Sequence, residues 1–183
     1  DKTLVPGMDY TVSGDTSATG AGTYTIAVQG TGNYTGTAEK TWTVTKADMS
    51  VSAEDVKATY DGTAYRIAVK APEGAVITYS TDGENYVTET PVYIGAGVYI
   101  VHYQVTKANY NTVTGSAAVI ITARPITITA EDQSKTYGDN DPAYTWKIVS
   151  GDLVSGDRLT GIAVTRTDSG EDAGRYVITA TQE

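Results

Sequence analysis

The sequence contains no cysteine and no phenylalanine, and it has a single histidine. The absence of cysteine excludes disulfide bonds, thiolate nucleophiles and cysteine-based zinc sites. The one histidine, His102, lies in a run that alternates apolar and polar residues. No motif near it supplies the nucleophile and the acid of a Ser-His-Asp relay. We therefore expect no catalytic residues, and no cofactor, in this chain.

Basic residues are also scarce. Lysine and arginine number 13 against 22 aspartates and glutamates, so the net charge is −9. A chain without a basic patch cannot release counterions from nucleic-acid phosphates, and it gains little from anionic lipid surfaces. No apolar run is long enough for a signal peptide or a membrane span. We expect neither nucleic-acid binding nor direct membrane insertion. Because the sequence starts at Asp1 without a methionine, we also expect it to be part of a longer protein.

The residues that are abundant favour strands. The 14 tyrosines accompany many threonines, valines and isoleucines, all of which suit the half-buried surface of a sheet. The 19 glycines provide turns. In Val98–Val105, Tyr99, Val101, Tyr103 and Val105 share one face, which is the two-residue period of a strand. No window has a convincing helical period, and the nearest approach to one is the short, polar segment Ala53–Tyr60.

Three landmarks recur along the chain in the same order. The first is an Ala-Gly-x-Tyr sequence whose alanines are 75 and 77 positions apart, in the segments Gly20–Ile26, Gly95–Val101 and Asp172–Ile178. The second is an Asn-Tyr pair, which recurs 76 positions apart in Gly32–Thr35 and Ala108–Asn111. The third recurs 77 positions apart, as Ser52–Asp55 with Tyr60–Gly62 and as Thr129–Asp132 with Tyr137–Asp139. The sequence therefore contains an internal repeat.

The spacing of these landmarks divides the chain into three copies. Residues 1–46 correspond to the C-terminal part of a repeat, 47–123 to a complete repeat, and 124–183 to a repeat that lacks its last strands. The joints at Lys46–Asp48 and Ala123–Pro125 are short and are not Gly/Ser tethers, so we expect them to be stiff. Short alternating strands separated by Gly- and Asp-rich turns predict an all-β chain of tandem immunoglobulin-like antiparallel β-sandwich repeats.

The tyrosine of the first landmark has a structural interpretation. Immunoglobulin-like sandwiches place a tyrosine near the start of one strand, where its hydroxyl bonds back to the nearby backbone. Tyr24, Tyr99 and Tyr176 occupy the equivalent positions here, each two residues before an aliphatic residue. The glycine two residues before each tyrosine leaves room for a tight corner. We expect these three tyrosines to be structural.

The landmarks resemble those of the MBG and YDG repeats of bacteria. The likeness extends over nearly the whole chain and is strongest in the third copy, in Lys135–Pro142 and in Gly151–Leu153. The middle copy departs from the pattern because Tyr60-Asp61-Gly62 is not followed by Asp-Pro. The resemblance implies immunoglobulin-like modules that occur in tandem in surface-exposed or secreted bacterial proteins. It therefore implies an extracellular location and a stalk or adhesin segment whose partners are neighbouring repeats. It carries no catalytic residues.

Two kinds of ligand site are candidates. Hard oxygen ligands suit Ca²⁺, and five acidic residues fall in two loops of the third copy, although aspartate also forms turns: Asp139, Asp141, Asp168, Glu171 and Asp172. Exposed aromatic rings suit sugars, and five lie near predicted loops or strand starts: Tyr60, Tyr86, Tyr110, Tyr137 and Trp146. A carbohydrate-binding module for a host or environmental glycan is thus the alternative to a non-catalytic structural or adhesive spacer.

The incomplete copies lead to one further expectation. Half of a sandwich leaves unpaired sheet edges and an uncovered apolar face. We expect at least one incomplete copy to be completed by strand exchange with another chain, and the first copy, around Tyr24 and Trp42, is the better candidate.

Overall fold

Every regular element in the described part of the protein is a β-strand. The structure, a computed structural model, describes residues 3–182, and this part of the chain contains no helix, so none that could cross a membrane. Its strands, in chain order, are β1 (Tyr10–Gly14), β2 (Gly22–Gly30), β3 (Thr37–Val44), β4 (Ser52–Ala53), β5 (Val56–Thr59), β6 (Val69–Lys70), β7 (Val76–Ser80), β8 (Gly97–Thr106), β9 (Val113–Thr122), β10 (Thr127–Ala130), β11 (Trp146–Ser150), β12 (Ile162–Arg166) and β13 (Ile178–Gln182). The prediction of an all-β chain is confirmed.

The chain forms two compact units. The first comprises the residues up to Asp55 together with Arg66–Pro91 and Ile100–Ala118. The second comprises Val56–Tyr65, Val92–Tyr99 and the residues from Val119 onward. This division follows spatial proximity and does not test the repeat boundaries, so the copies at 1–46, 47–123 and 124–183 stay predictions.

The first copy contributes a three-stranded antiparallel sheet in the order β1-β2-β3. Tyr24 lies opposite Trp42 in this sheet, and their ring centroids are 5.0 Å apart. The indole N–H of Trp42 donates to the carbonyl oxygen of Asp15 at 2.8 Å. Half-buried residues alternate with exposed ones at the end of β3 and at the start of β2, as the two-residue period of a strand requires, whereas the first five residues of β3 are all exposed.

The middle copy contains the best-buried core. Its four-stranded sheet has the order β5-β9-β8-β7, and along β8 the inward residues Val101, Tyr103 and Val105 are 0%, 8% and 0% exposed. The predicted inward face of Val98–Val105 is therefore confirmed. On β9, Val119 and Ile121 are 0% and 2% exposed. Burying each such side chain contributes about 1.5–3 kcal/mol, which makes these two strands the centre of the fold.

One pairing in this sheet departs from the expectation of purely antiparallel sandwiches. Strand β5 pairs with β9 in parallel, with Val56 opposite Val119. The preceding strand, β4, pairs instead with β6 in a separate two-stranded sheet. The chain thus changes sheets between Ala53 and Val56, within the segment whose period came nearest to a helix. Residues 56–59 are extended because their backbone N–H and C=O groups form hydrogen bonds with β9.

The third copy contains two separate antiparallel pairs, β10-β11 and β12-β13. The register of the first pair shifts between Thr127 and Ile128. Strands β10 and β13 lie close together in space. The antiparallel sheets are thus present in all three segments of the chain.

Candidate functional site

Three tyrosines make the same hydrogen bond. Each hydroxyl donates to the carbonyl oxygen of the residue four positions earlier, at 2.7 Å for Tyr24, 3.1 Å for Tyr99 and 2.6 Å for Tyr176. Each ring is half-buried. Each of these three hydrogen bonds therefore connects the tyrosine to the loop that precedes it, in the manner of an immunoglobulin tyrosine corner.

The glycines of these corners are not equivalent. A Cβ atom on Gly97 would lie 2.9 Å from the ring of Tyr99, a distance that real Cβ contacts do not reach. A Cβ on Gly22 would be 3.4 Å from the ring of Tyr24, and one on Gly174 would have no neighbour within 4 Å. A side chain at this position of the corner would therefore crowd the tyrosine ring at Gly97, would be in ordinary contact with it at Gly22, and would have open space at Gly174.

A loop around Asn109 bridges the first predicted repeat boundary. Asn109 has a φ of +66°, a backbone conformation that asparagine adopts more readily than most residues. Its side-chain Oδ1 accepts a hydrogen bond from the N–H of Ala21 at 2.8 Å, within the first corner. Its carbonyl oxygen accepts another from the N–H of Ala47 at 2.9 Å. One residue of the middle copy therefore holds both the first copy and the joint that follows it.

The same joint is held from its other side by Asn111. The N–H of Asn111 donates to the carbonyl oxygen of Ala47 at 2.8 Å, and its side-chain Nδ2 donates to Asp48 at 2.7 Å. Between the two asparagines, Tyr110 forms a β-bridge with Ala47, and Lys107 lies 5.0 Å from the centroid of its ring. The first joint is thus a hydrogen-bonded element of structure.

The second predicted boundary is bridged by different residues. The Tyr60 hydroxyl donates to Asp157 at 3.2 Å, and Arg124 Nε donates to the carbonyl oxygen of Asp152 at 2.8 Å. The hydrogen bond to Asp157, more than the modest desolvation there, raises the pKa of Tyr60. A depression of about 360 Å³ lies at this boundary, and its lining includes Ile126 and Leu153.

The third copy contains a larger cavity, of about 630 Å³, in which four charged side chains form a network. Lys135 Nζ lies 2.7 Å from Asp141 and 2.8 Å from Glu171. The Arg166 guanidinium lies 3.3 Å from Asp141 and 2.9 Å from Glu171. Each cation therefore contacts both carboxylates. The Arg166 guanidinium also lies 4.8 Å from the ring centroid of the corner tyrosine Tyr176.

This network shifts the pKa of its members. Hydrogen bonds from Lys135 and Tyr144 lower the pKa of Asp141, and hydrogen bonds from Lys135 and Arg166 lower that of Glu171. In return, the two carboxylates raise the pKa of Lys135. Burial, followed by the hydrogen bond to Asp141, raises the pKa of Tyr144. All four charged groups therefore hold their charge over a wide range of pH.

The five calcium candidates do not assemble into a cation site. Asp141 and Glu171 are occupied by Lys135 and Arg166, whose positive charges repel a metal ion. Asp168 accepts the N–H of Gly170 in its own loop at 2.8 Å. No group of three or more acidic or histidine side chains between residues 3 and 182 is placed to hold a metal. The remaining candidates, Asp139 and Asp172, are exposed.

The glycan candidates also occupy separate places. Tyr137 lines the charged cavity and is 76% exposed. Tyr60 and Tyr110 belong to the two joints, while Tyr86 and Trp146 lie elsewhere, and all four are half-buried rather than exposed. Of the five residues, only Tyr137 has the exposure expected of a sugar platform.

The sequence did not reveal the residues that make the long-range contacts at the first joint and in the charged cavity. Asn109 was recognised only as part of a repeated Asn-Tyr pair, and its positive φ and long-range hydrogen bonds have no signal in the sequence. Lys135 and Arg166 are 31 positions apart in the chain and meet only through the fold.

Comparison with known proteins gives one result for the third copy. Residues 126–183 match the family model of the MBG domain (YGX type). No curated protein gives a significant match to the chain. The matched residues include Tyr137-Gly138-Asp139, the charged network and the third tyrosine corner. The segment from residue 126 to residue 183 is therefore an MBG-type domain.

Proposed function

We propose that this chain is a non-catalytic structural or adhesive segment, a stalk or spacer, of a bacterial cell-surface or secreted protein. The observation that carries the proposal is the hydrogen-bonded joint around Asn109, since a spacer must resist bending between its modules. The MBG-type domain at residues 126–183 supports a modular role. Neighbouring repeats would be the partners, and the location would be extracellular.

The side chains nearest to a catalytic arrangement support the non-catalytic part of the proposal. Ser80 lies opposite His102 in the sheet, but Ser80 is only 2% exposed. Its hydroxyl donates to Asp82 at 2.6 Å and accepts from the N–H of Gly83 at 2.9 Å. Because Ser80 is buried, a substrate cannot reach its hydroxyl.

Stiffness of the first joint can be measured with spin labels, because the chain has no native cysteine to interfere. Glu39 and Lys70 are exposed positions before and after the joint, and both can be changed to cysteine. We expect a narrow distance distribution between the two labels. Asn109→Gly should broaden it, because glycine keeps the positive φ while the side-chain bond to Ala21 is lost.

The matched control is Asn33→Gly, which changes an exposed asparagine away from the joint. It should leave the distribution unchanged. A broad distribution in the parent chain would contradict the spacer proposal. Equal widths in the parent and in Asn109→Gly would show that another contact sets the stiffness.

A second candidate is carbohydrate binding at the charged cavity. Its volume is within the range of ligand sites, and the exposed ring of Tyr137 stands beside charged groups that can hydrogen-bond hydroxyls. If this alternative holds, the chain is retained on a polysaccharide column or a glycan array, and Tyr137→Ala abolishes retention. Tyr86→Ala, at a tyrosine that does not line the cavity, is the control. Failure to bind any glycan would leave the spacer as the better account.

A further inference from the structure

The first and last segments of the middle copy pair with each other in one register. Ala47, directly after the first joint, forms a parallel β-bridge with Tyr110. Strand β5 is parallel to β9, and Val56 lies opposite Val119. Partners in both pairings are 63 positions apart in the sequence, and side-chain hydrogen bonds between the two segments span the same 63 positions. The chain therefore enters and leaves this copy through two segments that run in the same direction.

Further hydrogen bonds secure both ends of the β5-β9 pair. At its N-terminal end, the carboxylate of Asp55 accepts the N–H of Ala118 at 2.8 Å. At its C-terminal end, the N–H of Tyr60 donates to the carbonyl oxygen of Thr122 at 2.8 Å. The Thr122 hydroxyl donates to the carbonyl oxygen of Ala58 at 3.2 Å. These bonds add to the ladder itself, so the two strands are joined from one end of the pair to the other.

Strand β9 is the fixed partner in this pair, and β5 is the strand that can detach. Strand β9 lies between β5 and β8, and its residues Val119 and Ile121 are 0% and 2% exposed. Among the described strands, β5 is at the edge of its sheet and pairs only with β9. The contact between β5 and β9 therefore decides whether β5 stays in place when the chain is pulled.

Tension along the chain loads this pair in shear. Tension from the first joint reaches β5 at Val56, and tension from the second joint reaches β9 at Thr122. These residues are at opposite ends of the pair, since Thr122 lies opposite Thr59, at the far end of β5. The pull therefore slides one strand along the other and strains all the bonds between them together. In an antiparallel hairpin pulled at its open end, by contrast, the bonds lie across the direction of opening and break one after another.

We propose that the parallel segments 47–60 and 110–122 form a mechanical clamp, through which the middle copy bears tension along the chain. The clamp keeps this copy folded under a pull, because shear requires the bonds of the pair to break at nearly the same extension. The proposal rests on the spacer function, since only a segment that links two pulled parts carries tension. The two tests are nevertheless separate, because the spin labels measure bending at the first joint and not resistance to pulling. A narrow label distribution combined with low resistance would leave the spacer and remove the clamp.

The test is single-molecule force spectroscopy of the full chain, which has no native cysteine to compete with introduced attachment points. Handles on Lys46→Cys and Ala123→Cys, both at exposed positions, load the pair in shear. Unfolding of the copy between them releases roughly 260 Å of extended chain, which identifies the event. The geometric control moves the handles to Glu54→Cys and Ser116→Cys, exposed positions just before the paired residues of both strands. From there the same bonds break one at a time, so we expect unfolding at a distinctly lower force.

Two clamp variants and one control relate the resistance to particular bonds. At a fixed force, Asp55→Ala should unfold roughly tenfold faster, the usual effect of losing a hydrogen bond to a charged group. Thr122→Val keeps the shape of the side chain but removes its hydroxyl, and it should unfold roughly fivefold faster. Tyr99→Phe is the control, because it loses a hydrogen bond of the same copy outside the clamp. It should lower the stability in urea and leave the unfolding rate under force unchanged.

An unchanged far-UV circular dichroism spectrum of each variant shows that it is folded before it is pulled. Equal unfolding forces in the two handle geometries would overturn the proposal. So would clamp variants that unfold under force as slowly as the parent chain. A Tyr99→Phe variant that unfolds as fast as the clamp variants would also overturn it, since the resistance would then follow the overall stability and not the clamp.

Discussion

Tyr99 makes two specific contacts, one through its hydroxyl and one through its ring, and the hydroxyl can be removed without the ring. Its hydroxyl bonds to the carbonyl oxygen of Gly95 at 3.1 Å, and its ring stacks on Tyr93 with centroids 4.1 Å apart. Tyr99→Phe removes only the hydrogen bond, which contributes about 1 kcal/mol. Tyr99→Ala also removes the stacking, about 1 kcal/mol, and the burial of a ring that is half-exposed, about another 1 kcal/mol. We therefore expect the alanine variant to lose about 3 kcal/mol of unfolding free energy.

The measurement is urea unfolding followed by far-UV circular dichroism. Both tryptophans lie outside the middle copy, in β3 and β11, so their fluorescence would not report on it. Hydrogen exchange of peptides that cover β8 localises the effect, which matters because the chain has two compact units. Tyr86→Phe is the control, since that half-buried tyrosine makes no side-chain hydrogen bond in the described residues. Equal stability of Tyr99→Phe and the parent would refute the role of the hydroxyl as a tether.

Three further outcomes are expected. Gly97→Ala should destabilise the chain by about 1–3 kcal/mol in the same urea assay, because the new methyl group displaces the corner ring, whereas Gly174→Ala should be neutral or slightly stabilising. Thermal unfolding followed by tryptophan fluorescence should show that the third copy loses stability below about pH 4. The pKa values of Asp141 and Glu171 are lowered in the folded state, so the stability that their ionised carboxylates contribute is lost as these carboxylates become protonated. Lys135→Met should flatten this acid dependence, and an unchanged pH profile in that variant would contradict the charged network. Millimolar Ca²⁺ should not raise the melting temperature of the parent chain, since the best-placed carboxylates are already paired with cations; a rise that a chelator reverses would restore the calcium hypothesis.

The sequence alone determined which residues face inward along β8. In β8 the alternation of Val101, Tyr103 and Val105 with polar residues has only one face that can be buried, and the structure buries that face. The hydrogen bonds of the corner tyrosines are also local, because each hydroxyl donates to a carbonyl oxygen only four residues earlier. Periods and short-range contacts of this kind depend only on residues that are close together in the sequence.

Tertiary structure decided the features that depend on distant partners. Val56–Thr59 form a strand because β9, more than sixty positions later, pairs with them. The corresponding residues 133–136 follow the same Ala-Glu-Asp landmark but form no strand in the described chain. Likewise, Asn109 meets its hydrogen-bonding partners, and the two cations Lys135 and Arg166 meet Asp141 and Glu171, only when the chain folds. A strand exists through hydrogen bonds to a neighbour, so a repeated sequence specifies a strand only where the rest of the fold supplies that neighbour.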